Sequence, residues 1–494
     1  MKITRNKFHF PFLFYLFTVI IFILVSCTPS TETSKGSLNG IINLEGESDH
    51  SGITIALYDL AALDPDIVSI NQEYPQIGVH INQHTEFDHR FQSPVKYTET
   101  EADGSFELKK ISTGKYNLVA IKDGWGFKYL YNVDISKGDN DLWQQINLYE
   151  EIHISGDIQG SVTVETGHHL IIDDNTVFRP NISSLIIHPG AVIRINPSAD
   201  LTIYGILFAQ GEENDMFWIT SNDGFGEELT MQDSLQYYHQ MELSQVASVE
   251  DDLIEWGKWD WGNFCLLNKV NNVSVQNSIF QNGRCGYEVV DVEEAYITKV
   301  ITSRFDSEEY AGIYFYLTLG GNIEKCITVN CNNGIKLKDK SNVTISNVYS
   351  SLNGYGIKLM QCMGYVVYNE FKQNSISDIG FTGNHLIEDE NLLINKNVFS
   401  SNTAITQFSL TGSSFNQYTI ITTFKNNFEN NYWYIYLLGE GLRENIVAEN
   451  CYFDGLTAIE NIKLKIWDFD DEETYPEVLI LNVNQYKNSD VGIQ

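Results

Sequence analysis

The sequence predicts an all-β protein whose larger part is a β-solenoid, a stack of short coils around a common apolar interior. Short patterns return at steps of roughly 20 to 30 residues between residues 277 and 452, and periods of this length are typical of solenoids. Apolar and polar residues alternate within the patterns and no helical period accompanies them, which favours strands. Asn and Gly recur between the patterns, as expected of tight corners between stacked coils.

The repeats form two columns. The first is a small polar residue, any residue, then an apolar one, and it occurs at 277–279, 299–301, 326–328, 347–349, 369–371, 397–399, 426–428 and 450–452. The second is an apolar–polar–apolar strand, and it occurs at 312–315, 334–337, 356–359, 404–406 and 434–437. Because strand side chains alternate in direction, the second column predicts a set of lumen residues. They are Ile313, Phe315, Ile335, Leu337, Ile357, Leu359, Ile405, Ile435 and Leu437.

Residues 1–26 have the pattern of a signal peptide. Three basic residues precede an apolar run over residues 10–25, which is short for a membrane span. The run ends in Leu24-Val25-Ser26-Cys27, which resembles the bacterial lipobox. That resemblance implies a lipoprotein of the bacterial cell envelope, held in the membrane by acyl chains (palmitate) on Cys27, and Thr28 implies the outer membrane. The alternative is an ordinary signal peptide with an incidental cysteine.

Residues 27–36 are small and polar and predict a flexible tether, and residues 37–150 predict a small β-sandwich. Asp103-Gly104 predicts a tight hairpin turn in this segment. The stretch Thr98-x-Thr100-x-x-Asp103-Gly104-x-Phe106-x-Leu108, followed by Gly114-x-Tyr116-x-Leu118, resembles the carboxypeptidase regulatory-like domain. The resemblance implies a non-catalytic spacer or adhesion module.

A long insertion between Asp59 and Val95 departs from that family pattern. On a helix, His80, His84 and Asp88, with His89 beside them, would share a face and could bind zinc. Because Gly and Pro lie nearby and no apolar helical stripe accompanies them, we expect a polar loop instead.

Residues 151–483 predict the β-helix itself. Corners such as Pro189-Gly190 and 205–211 resemble the first coils of extracellular right-handed parallel β-helices, the pectate-lyase-like superfamily. The insertion at about 223–255 is expected to cover an end or side of the β-helix, with a lid over a binding face as the alternative. The aromatic residues after it could stack on sugars or pack into the rim. They are Trp256, Trp259 and Trp261.

An outward strip is predicted along the second column. Its members are Glu288, Tyr314, Lys336, Lys358, Thr382, Thr406, Tyr436 and Glu460, with Tyr316 and Lys338 beside them. Tyr rings stack on sugar rings and lysines pair with carboxylates, so the strip suits an extended polyanionic or neutral glycan, an extracellular or periplasmic polysaccharide. An ordinary solvated sheet face is the alternative. The candidate ligand-binding residues are Tyr314, Tyr316, Lys336, Lys338, Lys358 and Tyr436.

Asparagines recur at one corner and predict a side-chain hydrogen-bond ladder. They are Asn277, Asn347, Asn369, Asn397, Asn426 and Asn450. Cys326 and Cys331 could form a disulfide in an oxidising compartment, whereas buried free thiols are the expectation for most of the cysteines. The acidic run at 468–473 resembles the terminal segment of such β-helices and predicts a charged cap, with calcium binding as the alternative.

The formal net charge of −34 should repel phosphate backbones, so nucleic-acid binding is not expected. The preferred function is non-catalytic binding of an extended ligand, a glycan, and a structural or adhesive scaffold is one alternative. The other is a polysaccharide lyase acting on uronate-containing glycans, with Lys336 or Lys358 as base and Glu288 or Asp339 holding Ca²⁺. A hydrolase would need two acids flanking a groove, and no such pair stands in one register. No cofactor is expected for the preferred function.

Overall fold

The protein is mostly β-structure, which confirms the predicted all-β class. The computed structural model describes residues 34–196, 199–222, 263–267, 273–305, 307, 309–384, 391–400, 406–414, 420–424, 426–429, 433–438, 446–468, 478–488 and 492–494. Two small sheets near the N-terminus precede a long parallel β-helix. Within these ranges, none of the helices has the length and apolar character needed to cross a membrane.

The N-terminal sheets pack on one another as a sandwich. The first contains β1 (Lys35–Leu44), β4 (Ser105–Ser112), β7 (Gly138–Asp141) and β8 (Ile146–Leu148). The second contains β2 (Thr54–Tyr58), β3 (Lys96–Glu99), β5 (Gly114–Lys122) and β6 (Trp125–Ile135), in the order β3-β2-β5-β6. Leu38 and Ile42 from the first sheet share a buried core with Leu118 from the second, as the alternation of inward side chains requires.

The Asp103-Gly104 turn is present, but it does not close a hairpin within one sheet. It carries the chain from β3 in the second sheet to β4 in the first. Gly104 has φ 78°, and a Cβ there would lie 2.5 Å from the Ile42 carbonyl oxygen. This close approach, together with the left-handed backbone, explains why glycine is required at the turn.

Residues 59–95, here called the docking segment, are not the polar loop that was predicted. They fold into short helical turns, because Asp64 and Asn82 cap helix N-termini with their side chains while Pro75 and Gly78 limit helix length. The turns are α1 (Pro65–Val68), α2 (Ile70–Glu73), α3 (Gln83–Glu86) and the 3₁₀ segments Pro75–Ile77 and His89–Phe91.

Each coil of the β-helix contributes a strand to each of three parallel sheets, here called faces A, B and C. Face A contains β11 (Val192–Ile195), β14 (Phe217–Ser221), β21 (Ile327–Val329), β24 (Tyr349–Ser351), β27 (Glu370–Lys372), β30 (Val398–Phe399), β33 (Asn427–Phe428) and β36 (Tyr452–Phe453). Face B contains β12 (Leu201–Ile203), β15 (Asn263–Leu267), β17 (Cys285–Val290), β19 (Ile313–Tyr316), β22 (Asn333–Lys338), β25 (Tyr355–Met360), β28 (Ser377–Asn384), β31 (Thr406–Ser414), β34 (Trp433–Leu438) and β37 (Ile466–Trp467).

Face C contains β13 (Ile206–Gln210), β20 (Gly321–Glu324), β23 (Asn342–Ser346), β26 (Met363–Val367), β29 (Asn391–Asn395), β32 (Ile420–Phe424), β35 (Ile446–Glu449) and β38 (Val478–Leu481). Four longer strands bend across corners and contribute to more than one face. They are β9 (Ile152–Val164), β10 (His169–Ile187), β16 (Val273–Gly283) and β18 (Ala295–Phe305).

The lumen is a continuous apolar core, and it contains the predicted Ile313, Phe315, Ile335, Leu337, Ile357, Leu359 and Ile435. Ile405 lies outside the described residues, as does the side chain of Leu437. Phe371, Phe399, Phe428 and Phe453 stack at successive coils, with ring centroids 5.3, 4.9 and 5.1 Å apart. The lumen residues were therefore predicted correctly wherever their side chains are described.

The corner asparagines occupy two neighbouring columns rather than the single ladder that was predicted. Asn369, Asn397 and Asn426 form a ladder in which each amide donates to the carbonyl oxygen of the next, at 3.0 and 3.1 Å. Asn277, Asn347 and Asn450 lie in left-handed corner conformations, with φ between 52° and 54°. Pairing of Tyr349 with Glu370 places Asn347 one residue out of register with Asn369. A one-residue offset is enough to change the side chain's surroundings.

The docking segment covers part of face A. Ile67, Ile70, Ile77, Val79 and Ile81 form a buried cluster with Ile301, Ile327, Val329, Tyr349 and Leu352, and Ile493 joins it from the C-terminal residues. Arg304 on β18 donates to Glu86 on α3 at 3.0 Å. The outward side of face A is thus buried over these coils, so faces B and C are the surfaces left for an extended ligand.

The C-terminal part of the β-helix carries a fourth helix, α4 (Ile459–Lys463). Asp468, the first residue of the predicted acidic cap, is buried. Its carboxylate accepts hydrogen bonds from Lys463 Nζ and the Val478 backbone N–H, both at 2.7 Å. This residue therefore holds the last strand in place, and residues 469–477 lie outside the described part of the chain.

Candidate functional site

Four of the predicted strip residues stand in one outward register on face B. Glu288 pairs with Tyr314, Tyr314 with Lys336, and Lys336 with Lys358 on successive coils. Strand β17 supplies the first residue, and β19, β22 and β25 supply the others. The parallel register of these strands brings their side chains together as predicted.

The rest of the predicted strip was partly wrong. Lys358 pairs with Gly380, and Thr382 pairs with Met360 in the neighbouring column. Ser409 rather than Thr406 continues the column, and it pairs with Tyr436, whose backbone lies in the predicted register. Glu460 belongs to helix α4 and to no strand of face B.

Tyr314 and Lys336 lie outside the lumen but are covered. Each is only 5% exposed. Glu309 and Tyr310, which precede β19, cover them. Lys336 Nζ donates to the Glu309 carbonyl oxygen, and the Tyr310 ring packs on that of Tyr314 with centroids 5.8 Å apart. The ammonium of Lys336 also lies 5.5 Å from the centre of the Tyr314 ring. This part of the column is a small packed cluster and not an open surface.

Burial shifts the titration of two groups in the column. Desolvation, and then the positive charges of Lys358 and Lys338, lower the pKa of Lys336 to about 8. Desolvation, and then the negative charges of Asp200 and Glu309, raise the pKa of Glu288 to about 7. A carboxyl and an amine that both titrate near neutral pH therefore flank Tyr314, an arrangement capable of proton transfer if a substrate reached it.

Two lysine–tyrosine pairs of face B remain half-exposed. Lys338 Nζ lies 5.6 Å from the centre of the Tyr316 ring, and Lys358 Nζ lies 4.6 Å from that of Tyr355. These pairs present an ammonium beside an aromatic face, which suits a ligand that carries both a ring and a carboxylate.

The predicted metal ligands do not come together. Among the described residues, no three His, Cys, Asp or Glu side chains form a group that could hold a metal ion. Asp88 pairs with Arg90, and the His84 ring lies against that of Tyr131 with centroids 3.9 Å apart. His89 Nδ1 lies 2.7 Å from the Tyr129 hydroxyl oxygen. The polar residues of the docking segment are thus used in packing against β6.

The cysteines whose side chains are described are buried thiols outside any disulfide, so Cys326 and Cys331 are not bonded to each other. These buried thiols are Cys285, Cys326, Cys331, Cys362 and Cys451. Burial raises the pKa of the Cys326 and Cys331 thiols to about 12. Cys326 Sγ donates to the Glu324 carbonyl oxygen at 3.2 Å. A thiol with so high a pKa is a poor metal ligand at neutral pH, because binding requires the thiolate.

Face C carries an outward column that sequence reasoning missed. Ser274, Tyr296, Asn322, Thr344, Tyr365 and Leu393 pair in succession. Ala209 on β13 pairs with Val275, so the residues that precede them, Phe208 and Ser274, share one register. Phe208 therefore belongs to the same column, one coil before Ser274. The exposed fractions of Phe208, Tyr296 and Tyr365 are 57%, 37% and 54%. The alternation at 296–298, 322–324, 344–346 and 365–367 was the signal that could have revealed this column.

Several predicted features lie outside the described residues. They are the signal peptide, Cys27, residues 28–33 of the tether, the insertion at 223–255, and Trp256, Trp259 and Trp261.

Residues 219–438 match the model of the NosD family, described as periplasmic copper-binding protein. The match covers less than half of the 494-residue chain and runs through the β-helix from β14 to β34. No curated protein and no solved structure matches the chain. In the described part of the chain, no three His, Cys, Asp or Glu side chains are grouped so that they could hold a metal ion. The match supports the β-helix and a periplasmic or surface setting. The chain is therefore a parallel β-helix protein similar, over residues 219–438, to a periplasmic family.

Proposed function

We propose that this protein is a cell-envelope binding protein that holds an extended neutral glycan along face C without transforming it. The observation that carries the proposal is the outward column in which Phe208, Tyr296 and Tyr365 expose their rings. Exposed large aromatic residues in one register of a rigid scaffold are a frequent feature of binding surfaces.

The spacing of the rings suits a linear polymer. Coils lie about 4.8 Å apart, so Phe208 and Tyr296, two coils apart, are separated by about 10 Å, and Tyr365 follows after about 14 Å. Each ring offers a flat apolar face to the C–H face of a sugar. Asn322 and Thr344 lie between Tyr296 and Tyr365 and can exchange hydrogen bonds with sugar hydroxyls.

The charge of the surface favours a neutral ligand. Glu294 accepts a hydrogen bond from the Tyr296 hydroxyl at 3.0 Å, and Glu324 lies two residues after Asn322 on β20. With a net charge of −34 on the whole chain, these carboxylates would repel a polyuronate.

The remaining modules fit a tethered binder. Acyl chains on Cys27 would hold the chain in the envelope membrane, and the tether and sandwich would separate the β-helix from the lipid. The docking segment is an insertion in the sandwich and packs on face A, which supports a fixed arrangement of the sandwich on the β-helix.

A second candidate function is a polysaccharide lyase for uronate-containing glycans. The observation in its favour is the pKa of Lys336 near 8 beside Tyr314 and Glu288, because a lyase requires a base that is free at neutral pH. Against it stands the cover formed by Glu309 and Tyr310, which leaves Lys336 only 5% exposed. Tyr316, Lys338 and Lys358 are the candidate contacts for such a substrate.

The test is a panel of soluble neutral polysaccharides and polyuronates mixed with the purified protein. Affinity is read by calorimetry, and new ultraviolet absorbance from unsaturated uronate ends is followed in the same samples. We expect binding of a neutral polymer without new absorbance. Growing absorbance with a polyuronate would replace the proposal by the lyase, and the absence of any binding would leave a structural scaffold.

A further inference from the structure

A cavity of about 270 Å³ lies where the sandwich, the docking segment and the first coils of the β-helix meet. Strand β6 supplies Phe127, Tyr129 and Tyr131 to its wall, the docking segment supplies His80 and His84, and the β-helix supplies His169 and Trp218. Cavities formed between modules from mostly aromatic side chains are a common setting for small ligands.

The cavity walls are aromatic rings that pack against one another. The His169 ring lies 4.6 Å from that of Phe127, and the Trp218 ring lies 6.1 Å from that of Tyr129. His84 rests on Tyr131 at 3.9 Å. Because these rings come from three parts of the chain and pack on each other, the cavity is formed before any ligand arrives.

Three ring nitrogens on this wall are buried and have no hydrogen-bond partner among the described residues. They are His80 Nδ1, His169 Nδ1 and Trp218 Nε1. His169 is 1% exposed, so bulk water does not hydrogen-bond to its ring. Buried polar atoms without partners are unfavourable, and three of them around one cavity point to a ligand that supplies hydrogen-bonding groups.

The electrostatics favour an uncharged ligand. Burial lowers the pKa of His84, and it lowers that of His169 well below its usual range, so both imidazoles are neutral at neutral pH. The Arg90 guanidinium lies 5.6 Å from the Trp218 ring centre, while the Asp215 carboxylate lies on the same wall as His84. Charges of both signs close to the cavity oppose a net charge on the ligand.

We propose that this cavity binds a neutral saccharide ring, stacked on the aromatic wall, with its hydroxyl groups paired to His80, His169 and Trp218. Hydroxyls fit this set because each can donate to an imidazole nitrogen or accept from the Trp218 indole N–H. The inference does not rest on glycan binding by face C, since Tyr296 and Tyr365 lie on other coils and contribute nothing to the cavity wall.

The experiment titrates the full protein with methyl glucoside, methyl galactoside and N-acetylglucosamine, followed by tryptophan fluorescence and calorimetry. Glucosamine and glucuronate serve as cationic and anionic versions of the same ring. Trp218→Phe keeps the aromatic face but removes the N–H donor, and Trp143→Phe is the matched control because Trp143 is 94% exposed. His80→Ala, at a half-buried position, gives a second variant should Trp218→Phe fail to fold.

We expect at least one neutral sugar to bind, with about tenfold weaker affinity in Trp218→Phe and unchanged affinity in Trp143→Phe. The proposal is overturned if no neutral sugar binds, if either charged sugar binds more tightly, or if neither Trp218→Phe nor His80→Ala alters binding. Loss of binding in Tyr365→Ala with unchanged binding in Trp218→Phe would place the sugar on face C and would likewise overturn the proposal.

Discussion

The Tyr74 hydroxyl donates a hydrogen bond to the Glu370 carboxylate across 296 positions of sequence. The bond joins the docking segment to strand β27 of face A, beside the buried cluster that contains Ile77 and Ile327. It therefore ties the insertion of the sandwich to the middle of the β-helix. The contact also fixes which faces can take a ligand, because it keeps part of face A covered.

Removing one apolar anchor should loosen the docking segment. Ile77 is fully buried against the β-helix, so Ile77→Ala should weaken docking by about 2–5 kcal/mol. Hydrogen exchange should accelerate in residues 65–91 and in strands β21 and β24. Ile41→Ala is the control, since Ile41 is 50% exposed. Equal protection in the two variants would contradict the account of face A.

Glu370 should make stability depend on pH. Desolvation raises the pKa of Glu370 from 4.5 to about 7, so the folded protein binds this proton more tightly than the unfolded chain. The resulting stabilisation is complete below about pH 4.5 and is lost as pH rises through 7, by up to about 3 kcal/mol. Glu370→Gln should flatten this fall in thermal midpoints taken across that window. An unchanged pH profile would show that Glu370 ionises normally.

Lys336 should be a destabilising charge at neutral pH. Its pKa is lowered from 10.5 to about 8, so folding costs up to about 3 kcal/mol below pH 8, and the cost is relieved as pH rises towards 10.5. Lys336→Met should therefore raise the thermal midpoint at pH 7 and remove the gain on going to alkaline pH. Lys358→Met, at a half-exposed position, should change the midpoint little. A lower midpoint for Lys336→Met would mean that its bond to Glu309 outweighs its desolvation.

The asparagine ladder should be a stability element. Asn397 donates to the Val366 carbonyl oxygen at 2.8 Å and accepts from the Asn369 backbone N–H at 3.0 Å. Asn397→Ala leaves both buried groups without partners and should cost about 2–4 kcal/mol. Asn342→Ala, at an exposed position, should cost less than about 0.5 kcal/mol in the same calorimetric scan. A similar loss of stability in Asn397→Ala and Asn342→Ala would show that the ladder does not stabilise the fold.

The lumen and the start of the face B column were predictable because a strand's period of two fixes them locally. Ile335 and Lys336 can be assigned to opposite sides from sequence alone. Beyond Met360 the assignment failed in two ways. Thr382 lies two residues after Gly380, the partner of Lys358, so it faces outward but in the neighbouring column. Thr406 lies three residues before Ser409, the partner of Gly380, because the coil between β28 and β31 is longer than those before it, and an odd offset exchanges the two sides of a strand.

The docking segment and the cavity could not be predicted by the same reasoning. Ile67, Ile70 and Ile77 stand at helical spacing, but Pro75 and Gly78 interrupt a continuous helix, and the residues on which these isoleucines pack lie more than 200 positions away. Likewise, Trp218 and His80 meet only through the docking of one module on the other. The spacing of residues in the sequence does not show which distant residues such side chains contact.

The most direct test of the central claim compares three single variants on the neutral glycan that the panel selects. Tyr296→Ala and Tyr365→Ala remove rings from the face C column, and Tyr486→Ala removes a tyrosine that is 81% exposed elsewhere. Affinity should fall about tenfold in each of the first two and stay unchanged in the third, with equal thermal midpoints in all. Equal affinity in all three variants would contradict the assignment of face C as the glycan-binding surface.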